Sequence, residues 1–258
     1  MSAIQLGYRL IDTAPKYGES EAALGRAIQR SGVPREALFL ASKVGNVGYA
    51  ATLKSFEASL VALQTSYLDL VLMHSAIFQG AKELPRSPLH ATTRADTWRA
   101  LNELRSQGRV RSIGVCNHSP RQIAKLSPAP AVVQVEHHPL LQRSEILQYC
   151  REHGIAMVAY GSGGGGWRLW QKDPRLDLLG TAPIQQAALA HGKSAHQISL
   201  RWALEQGACV IPKAATPAHQ AENRQLFDFS LAPDEREALA LLDARRSVYK
   251  FRDPDEFA

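Results

Sequence analysis

The chain has 258 residues, 45% of them apolar, and a formal charge of +6. That length and apolar share suit one large α/β domain, and no apolar run approaches the ~20 residues needed to span a bilayer. The basic residues are scattered, with only short clusters such as Arg245-Arg246, so the dense basic stripe of a nucleic-acid-binding surface is missing. Cys116, Cys150 and Cys209 lie far apart with no CxxC pair. Neither a disulfide framework nor a zinc knuckle is expected, and a reducing, cytoplasmic setting is. The N-terminus lacks the basic-then-apolar pattern of a signal peptide.

In chain order, short apolar runs alternate with amphipathic segments. Met1 to Leu6 reads as the last turns of a helix, and Tyr8 to Ile11 as a short buried strand with Asp12 at its end. Pro15 and Gly18 make the next stretch a loop, with Tyr17 on it. Leu38–Lys43 is a predicted strand and Leu53–Leu63 the helix after it; Leu68–His74 is a strand, followed by a long loop from Ser75 to Arg94 and a helix over Thr97–Gln107. Val110–Cys116 is a strand. Ser119-Pro120-Arg121-Gln122 then opens a helix with a capping serine, proline at the first position and glutamine where a capping box needs it. Strands at Val132–Glu136 and Ile155–Tyr160 are each followed by helices, through Ile146-Leu147 and then around Ile184–Leu189 and Ile198–Leu204. Cys209-Val210-Ile211-Pro212 is the seventh strand, with Thr216 and Pro217 starting the next helix and Pro233–Leu242 forming the last. Strand alternating with helix implies a parallel sheet with right-handed crossovers. The expectation is a single domain over residues 1–258: a (β/α)8 barrel of which seven of eight strands are visible, the first expected upstream of Met1. The edges left open on the Tyr8 and Cys209 strands suit self-association.

Active sites of such barrels form at the carboxyl ends of the strands. The polar residues there are Asp12, Lys43, His74, Asn117, Gln134 with Glu136, Tyr160 and Lys213. Lys43 and His74 close apolar runs and need partners once buried; Asp12 is the natural partner for Lys43, and Tyr17 lies within reach of the same centre. An ammonium beside a phenol lowers its pKa, a carboxylate holds that ammonium in place, and a neutral imidazole can donate to a developing oxyanion. Together they fit protonation of a carbonyl oxygen during hydride addition.

These residues carry a family signature. Gly7–Ala14 with Tyr17-Gly18, Leu68–His74, Ser112–Asn117, and Val210–Lys213 with Glu222-Asn223 resemble, in order, the motifs of the aldo-keto reductases along nearly the whole chain. The resemblance implies an enzyme that reduces small aldehydes or ketones with NADPH, NADH being the alternative, with no metal. Tyr17 would donate the proton, tuned by Lys43 and Asp12, and His74 would orient the carbonyl. Asn117 and Gln134 would hold the nicotinamide carboxamide and Tyr160 would stack on the ring. Gly161, Ser162 and Gly163 would bring bare amides to the pyrophosphate. Lys213, Thr216 and His219 would take the 2′-phosphate, and Glu222 and Asn223 the adenine. The chain departs from the family pattern at several places. Ser75-Ala76 stands for the usual Trp-Pro, Cys116 for serine, His118 for phenylalanine, Ala214 for the serine after the lysine, and His219 for the arginine that grips the 2′-phosphate.

The run Gly161–Gly166 formally matches G-x-G-x-x-G, but Pro174 and the charged stretch around it argue against a helix opening directly, as a Rossmann motif requires. His137-His138 lacks a third ligand at metal spacing. Since the family's first strand contributes cofactor and substrate contacts, a second function stands beside the reductase: a nicotinamide-binding or interaction protein with little or no turnover.

Overall fold

The computed structural model describes residues 1–78, 80, 87–164 and 173–248. It divides into two compact units, the first covering Met1–Val133 and the second Gln134–Arg252, with the division inside one strand.

In the first unit the order is α1 (Ser2–Gln5), β1 (Leu10–Asp12), a 3-10 turn (Pro15–Tyr17), α2 (Ser20–Ser31), β2 (Phe39–Asn46), α3 (Tyr49–Leu63), β3 (Leu68–Phe78), α4 (Leu89–Ser106), β4 (Val110–Cys116), α5 (Pro120–Ile123) and the start of β5 (Val132–Glu136). Strands β1 to β4 lie side by side in chain order and run parallel, with Asp12 level with Ala41, Lys43 with Leu72, and Leu72 with Gly114. Strands covered on both faces read as continuous apolar runs, and Leu68, Leu70, Val71, Leu72 and Met73 of β3 are all buried. Helix α4 covers them with Trp98, Leu101 and Leu104, a one-face spacing. Gly114 is required where it stands: a Cβ there would lie 2.3 Å from the Val132 carbonyl oxygen. At the other ends of the strands Asp69 is a structural acid, accepting from the Leu40 amide at 2.9 Å and pairing with Arg35 and Arg111 at 2.8 and 3.0 Å.

The second unit holds the remainder of β5, α6 (Ser144–Glu152), β6 (Ala156–Tyr160), α7 (Ala182–His191), α8 (Ala195–Glu205), β7 (Cys209–Val210), α9 (Pro217–Glu222) and α10 (Pro233–Ala240). Here β5, β6 and β7 are adjacent in chain order, with Val158 level with Cys209. The indole of Trp202 is buried and stacks on His137, ring centroids 4.7 Å apart. Glu136 is structural too: its carboxylate accepts from His138 Nε2 at 2.9 Å and from the Val248 amide at 2.6 Å.

The structure departs from the pattern of the sequence at several places. Tyr8 is not in a strand, because its amide still closes α1 by donating to the Ala3 carbonyl, after Gly7 with φ +91; β1 starts only at Leu10. Nor is that strand buried: among the described strands β1 pairs with β2 alone, and Leu10 is 42% exposed. Strand β3 continues four residues past His74, and α4 begins at Leu89 rather than Thr97, so both ends of the expected Ser75–Arg94 loop are regular; residues 79 and 81–86 of it lie outside the described residues. Buried polar residues explain the early start of α4. His90 Nδ1 accepts from the Phe78 amide at 3.0 Å and Arg94 donates to the Ala76 carbonyl at 3.1 Å, so polar side chains here face inward and conceal the helical period. Strand β7 is only two residues long. The capping box at Ser119 forms, with the Ser119 amide donating to Gln122 Oε1 at 3.1 Å, but the helix it starts has four residues. No helix among the described residues is long and apolar enough to cross a membrane.

Candidate active site

In the first unit the chain brings Asp12, Tyr17, Lys43 and His74 together. Asp12 ends β1, Lys43 lies inside β2, His74 lies in β3, and Tyr17 closes the 3-10 turn whose φ Pro15 sets. The ammonium of Lys43 donates to Asp12 Oδ1 and, at 3.0 Å, to the Thr13 carbonyl. It stands 5.1 Å from the centroid of the Tyr17 ring, and the Tyr17 and His74 rings lie edge to face, their centroids 5.9 Å apart and their planes at 87°. The burial is graded: the Lys43 side chain is 1% exposed and that of Asp12 10%, whereas Tyr17 is 49% exposed. The ion pair is thus sealed inside and the phenol opens to solvent.

The charges follow from this placement. Burial alone would lower the Lys43 pKa, but Asp12 above all outweighs it and holds the ammonium above its ordinary value. Burial raises Tyr17, against the pull of Lys43; the net direction is opposite to the one the sequence suggests, and Tyr17 stays protonated at neutral pH. His74 is driven down to about 3 by burial, then by the charges of Lys43 and Lys16, so its imidazole is neutral. Burial pushes the Cys116 thiol up, which makes it an inert neighbour and not a reactive thiol. Asn117 follows β4 with φ +55, a left-handed conformation that asparagine tolerates, and its amide donates to the His74 carbonyl at 3.2 Å.

In the second unit Gln134 is buried in β5 and Tyr160 ends β6, its carbonyl accepting from the His137 amide at 3.1 Å. Gly161–Gly164 form a tight turn, closed by the Gly164 amide on the Gly161 carbonyl at 2.9 Å. The Ser162 hydroxyl turns inward to the His137 carbonyl at 2.7 Å and the Ser162 carbonyl accepts from the Ser199 hydroxyl, so both face the interior. Gly165 and Gly166 lie outside the described residues. Lys213, His219, Glu222 and Asn223 line one cavity of about 310 Å3, together with Ser194 and His196. Thr216 caps α9, its hydroxyl oxygen accepting from the His219 amide at 3.3 Å. The Glu222 carboxylate takes the Ser194 hydroxyl, and Lys213 forms no ion pair among the described residues.

Ser194 and His196 were missed by the sequence reading. The capping box Ser194–Gln197 was the available signal, since it sets the start of α8. The position of His196 depends on a backbone approach no pattern shows. Its Nδ1 lies 3.1 Å from the Gly163 carbonyl oxygen, and a Cβ on Gly163 would come within 1.9 Å of the ring.

The alternating strands and helices follow the (β/α)8 plan, seven strands of which are described, and Lys43 and His74 lie within β2 and β3, three and four residues before the ends of those strands rather than at them, as the sequence suggests. Together with family membership, this plan makes the protein an NAD(P)H-dependent oxidoreductase. The chain belongs to the aldo-keto reductase family: the model of the Aldo/keto reductase family matches residues 1–243. It is 39% identical over 253 residues to an aldo-keto reductase of Mycolicibacterium smegmatis, covering 96% of this chain and 84% of that one. It is 37% identical over 261 residues to glyoxal reductase of Bacillus subtilis, with 99% and 85% covered. Among solved structures, the Bombyx mori aldo-keto reductase in complex with NADP superposes with a TM-score of 0.85 at 30% identity, over 96% of this chain and 82% of that one.

Proposed function

We propose that this chain reduces an aldehyde or ketone to an alcohol with NADPH, Tyr17 being the proton donor. The observation that carries the reading is the sealed Lys43–Asp12 pair under a half-open tyrosine, with a neutral histidine beside it. A bound nicotinamide supplies the hydride to the carbonyl carbon. As negative charge grows on the carbonyl oxygen, Tyr17 gives it the phenolic proton, and the nearby ammonium of Lys43 stabilises the phenolate left behind. Asp12 keeps that ammonium charged and fixed. His74, neutral at working pH, donates an N–H to the same oxygen and thereby sets the approach of the carbonyl. The exposed phenol then takes a proton back from water.

The residues present suit the cofactor. The cavity lined by Lys213 and His219 offers a 2′-phosphate a cation that forms no ion pair among the described residues, and the Thr216 hydroxyl retains a proton to donate. Glu222 and Asn223 would contact the adenine, Gly161–Gly163 would present amides to the pyrophosphate, and Tyr160 would stack on the nicotinamide. Asn117 and Gln134 would hold its carboxamide. Following NADPH absorbance with a panel of aldehydes and ketones tests the reading: turnover supports it, and saturable NADPH binding without turnover would favour the binding-protein alternative.

A further inference from the structure

The charges around His74 are unbalanced. The Lys43 ammonium is neutralised by Asp12. A second cation, Lys16, stands on the same turn as Tyr17. Pro15 starts that turn, the Tyr17 amide closes it on the Ala14 carbonyl at 3.0 Å, and Gly18 leaves it with φ +63. The backbone therefore fixes Lys16 next to the proton donor. The charge of Lys16 reaches the His74 imidazole, and burial of part of the side chain lowers its own pKa. Lys16 forms no ion pair or side-chain hydrogen bond among the described residues. Among the described residues, Asp12 is the one carboxylate whose charge acts on Tyr17, and none acts on His74.

We propose that Lys16 is a specificity-determining residue of this site and selects carbonyl compounds that also carry an anionic group, a carboxylate or a phosphate. The inference rests on the reductase reading above. An anion docking with its carbonyl between Tyr17 and His74 meets a cation that no acid among the described residues pairs. A lysine is a mobile point charge, so it favours negative charge without demanding one geometry. Exposed ion pairs contribute ~0.2–1 kcal/mol, and partial desolvation raises that, so the effect expected is about fivefold in kcat/KM.

The test compares 4-formylbenzoate with its methyl ester, which share ring and aldehyde and differ in charge. The acid-to-ester ratio of kcat/KM is expected to fall about fivefold in Lys16→Gln, mainly through KM, and about tenfold or more in Lys16→Glu. Salt should lower the ratio of the unmodified chain and leave that of Lys16→Gln nearly constant. A ratio equal within about twofold in all three proteins would overturn the proposal, the resolution being set by the weak end of surface ion pairing. If the unmodified chain reduced neither aldehyde, the reductase reading would fall, and the assignment of Lys16 with it.

Discussion

Replacing Lys43 by methionine keeps most of the buried volume and removes the ammonium. Two acceptors then lose this donor: the Asp12 carboxylate, 10% exposed, and the Thr13 carbonyl. Removing one member of a buried pair leaves an uncompensated charge and costs about 3–5 kcal/mol. For a chain of this size each kcal/mol shifts the melting temperature by roughly 2–4 °C, so Lys43→Met should lower it by about 10 °C. Asp12→Asn alone should cost a similar amount, because it strands the ammonium instead. The double variant should lose less than the sum, since it buries no unpaired charge, by a coupling of about 2 kcal/mol or more. Denaturant unfolding of the four proteins at pH 7 measures the cycle. Additivity within about 0.5 kcal/mol would refute the claim that the two side chains act as one buried unit.

Two further predictions concern the histidines. His118 is fully buried, its Nδ1 2.7 Å from the Cys116 carbonyl oxygen and its Nε2 without a partner among the described residues, and burial drives its pKa to about 3. That value lies below the unfolded one, so the unfolded chain binds the proton first, and stability is lost as pH falls from about 6.5 towards 3. Between pH 7 and 5 this group alone should cost about 2 kcal/mol; His118→Phe should remove that part of the acid sensitivity, and equal pH dependence in both proteins would contradict the assignment. His219→Arg places a permanent planar cation in the cavity with Lys213 and should strengthen NADPH binding relative to NADH by about tenfold, a single charge-assisted hydrogen bond being worth that much. Fluorescence titration with both cofactors measures the ratio, and an unchanged ratio would remove His219 from the phosphate site.

Much of the fold was legible because local pattern and tertiary packing agree. Strands β4 and β5 run over the residues their apolar runs mark. The misreadings have identifiable causes. At Tyr8 the competing signal was the end of α1, where Gly7 lets the chain turn while the Tyr8 amide is still engaged. At the start of α4, inward-facing His90 and Arg94 are polar, so the periodicity is hidden. The proposed catalytic group was legible because Asp12, Lys43 and His74 interrupt apolar stretches that have no other use for a charge. The balance of its electrostatics was not. That Tyr17 is raised rather than lowered depends on burial competing with Lys43, a difference that only three-dimensional placement sets. His196 illustrates the same limit, being defined by the backbone of Gly163 rather than by its own neighbours in sequence.

The central claim is that Tyr17 delivers the proton, and it is tested most directly by Tyr17→Phe with NADPH and a reducible aldehyde. Half the side chain is solvent-exposed, so the variant should fold and bind NADPH as the unmodified chain does. Its turnover should fall by at least about 100-fold, the contribution typical of a positioned general acid. Undiminished turnover in Tyr17→Phe would contradict the account.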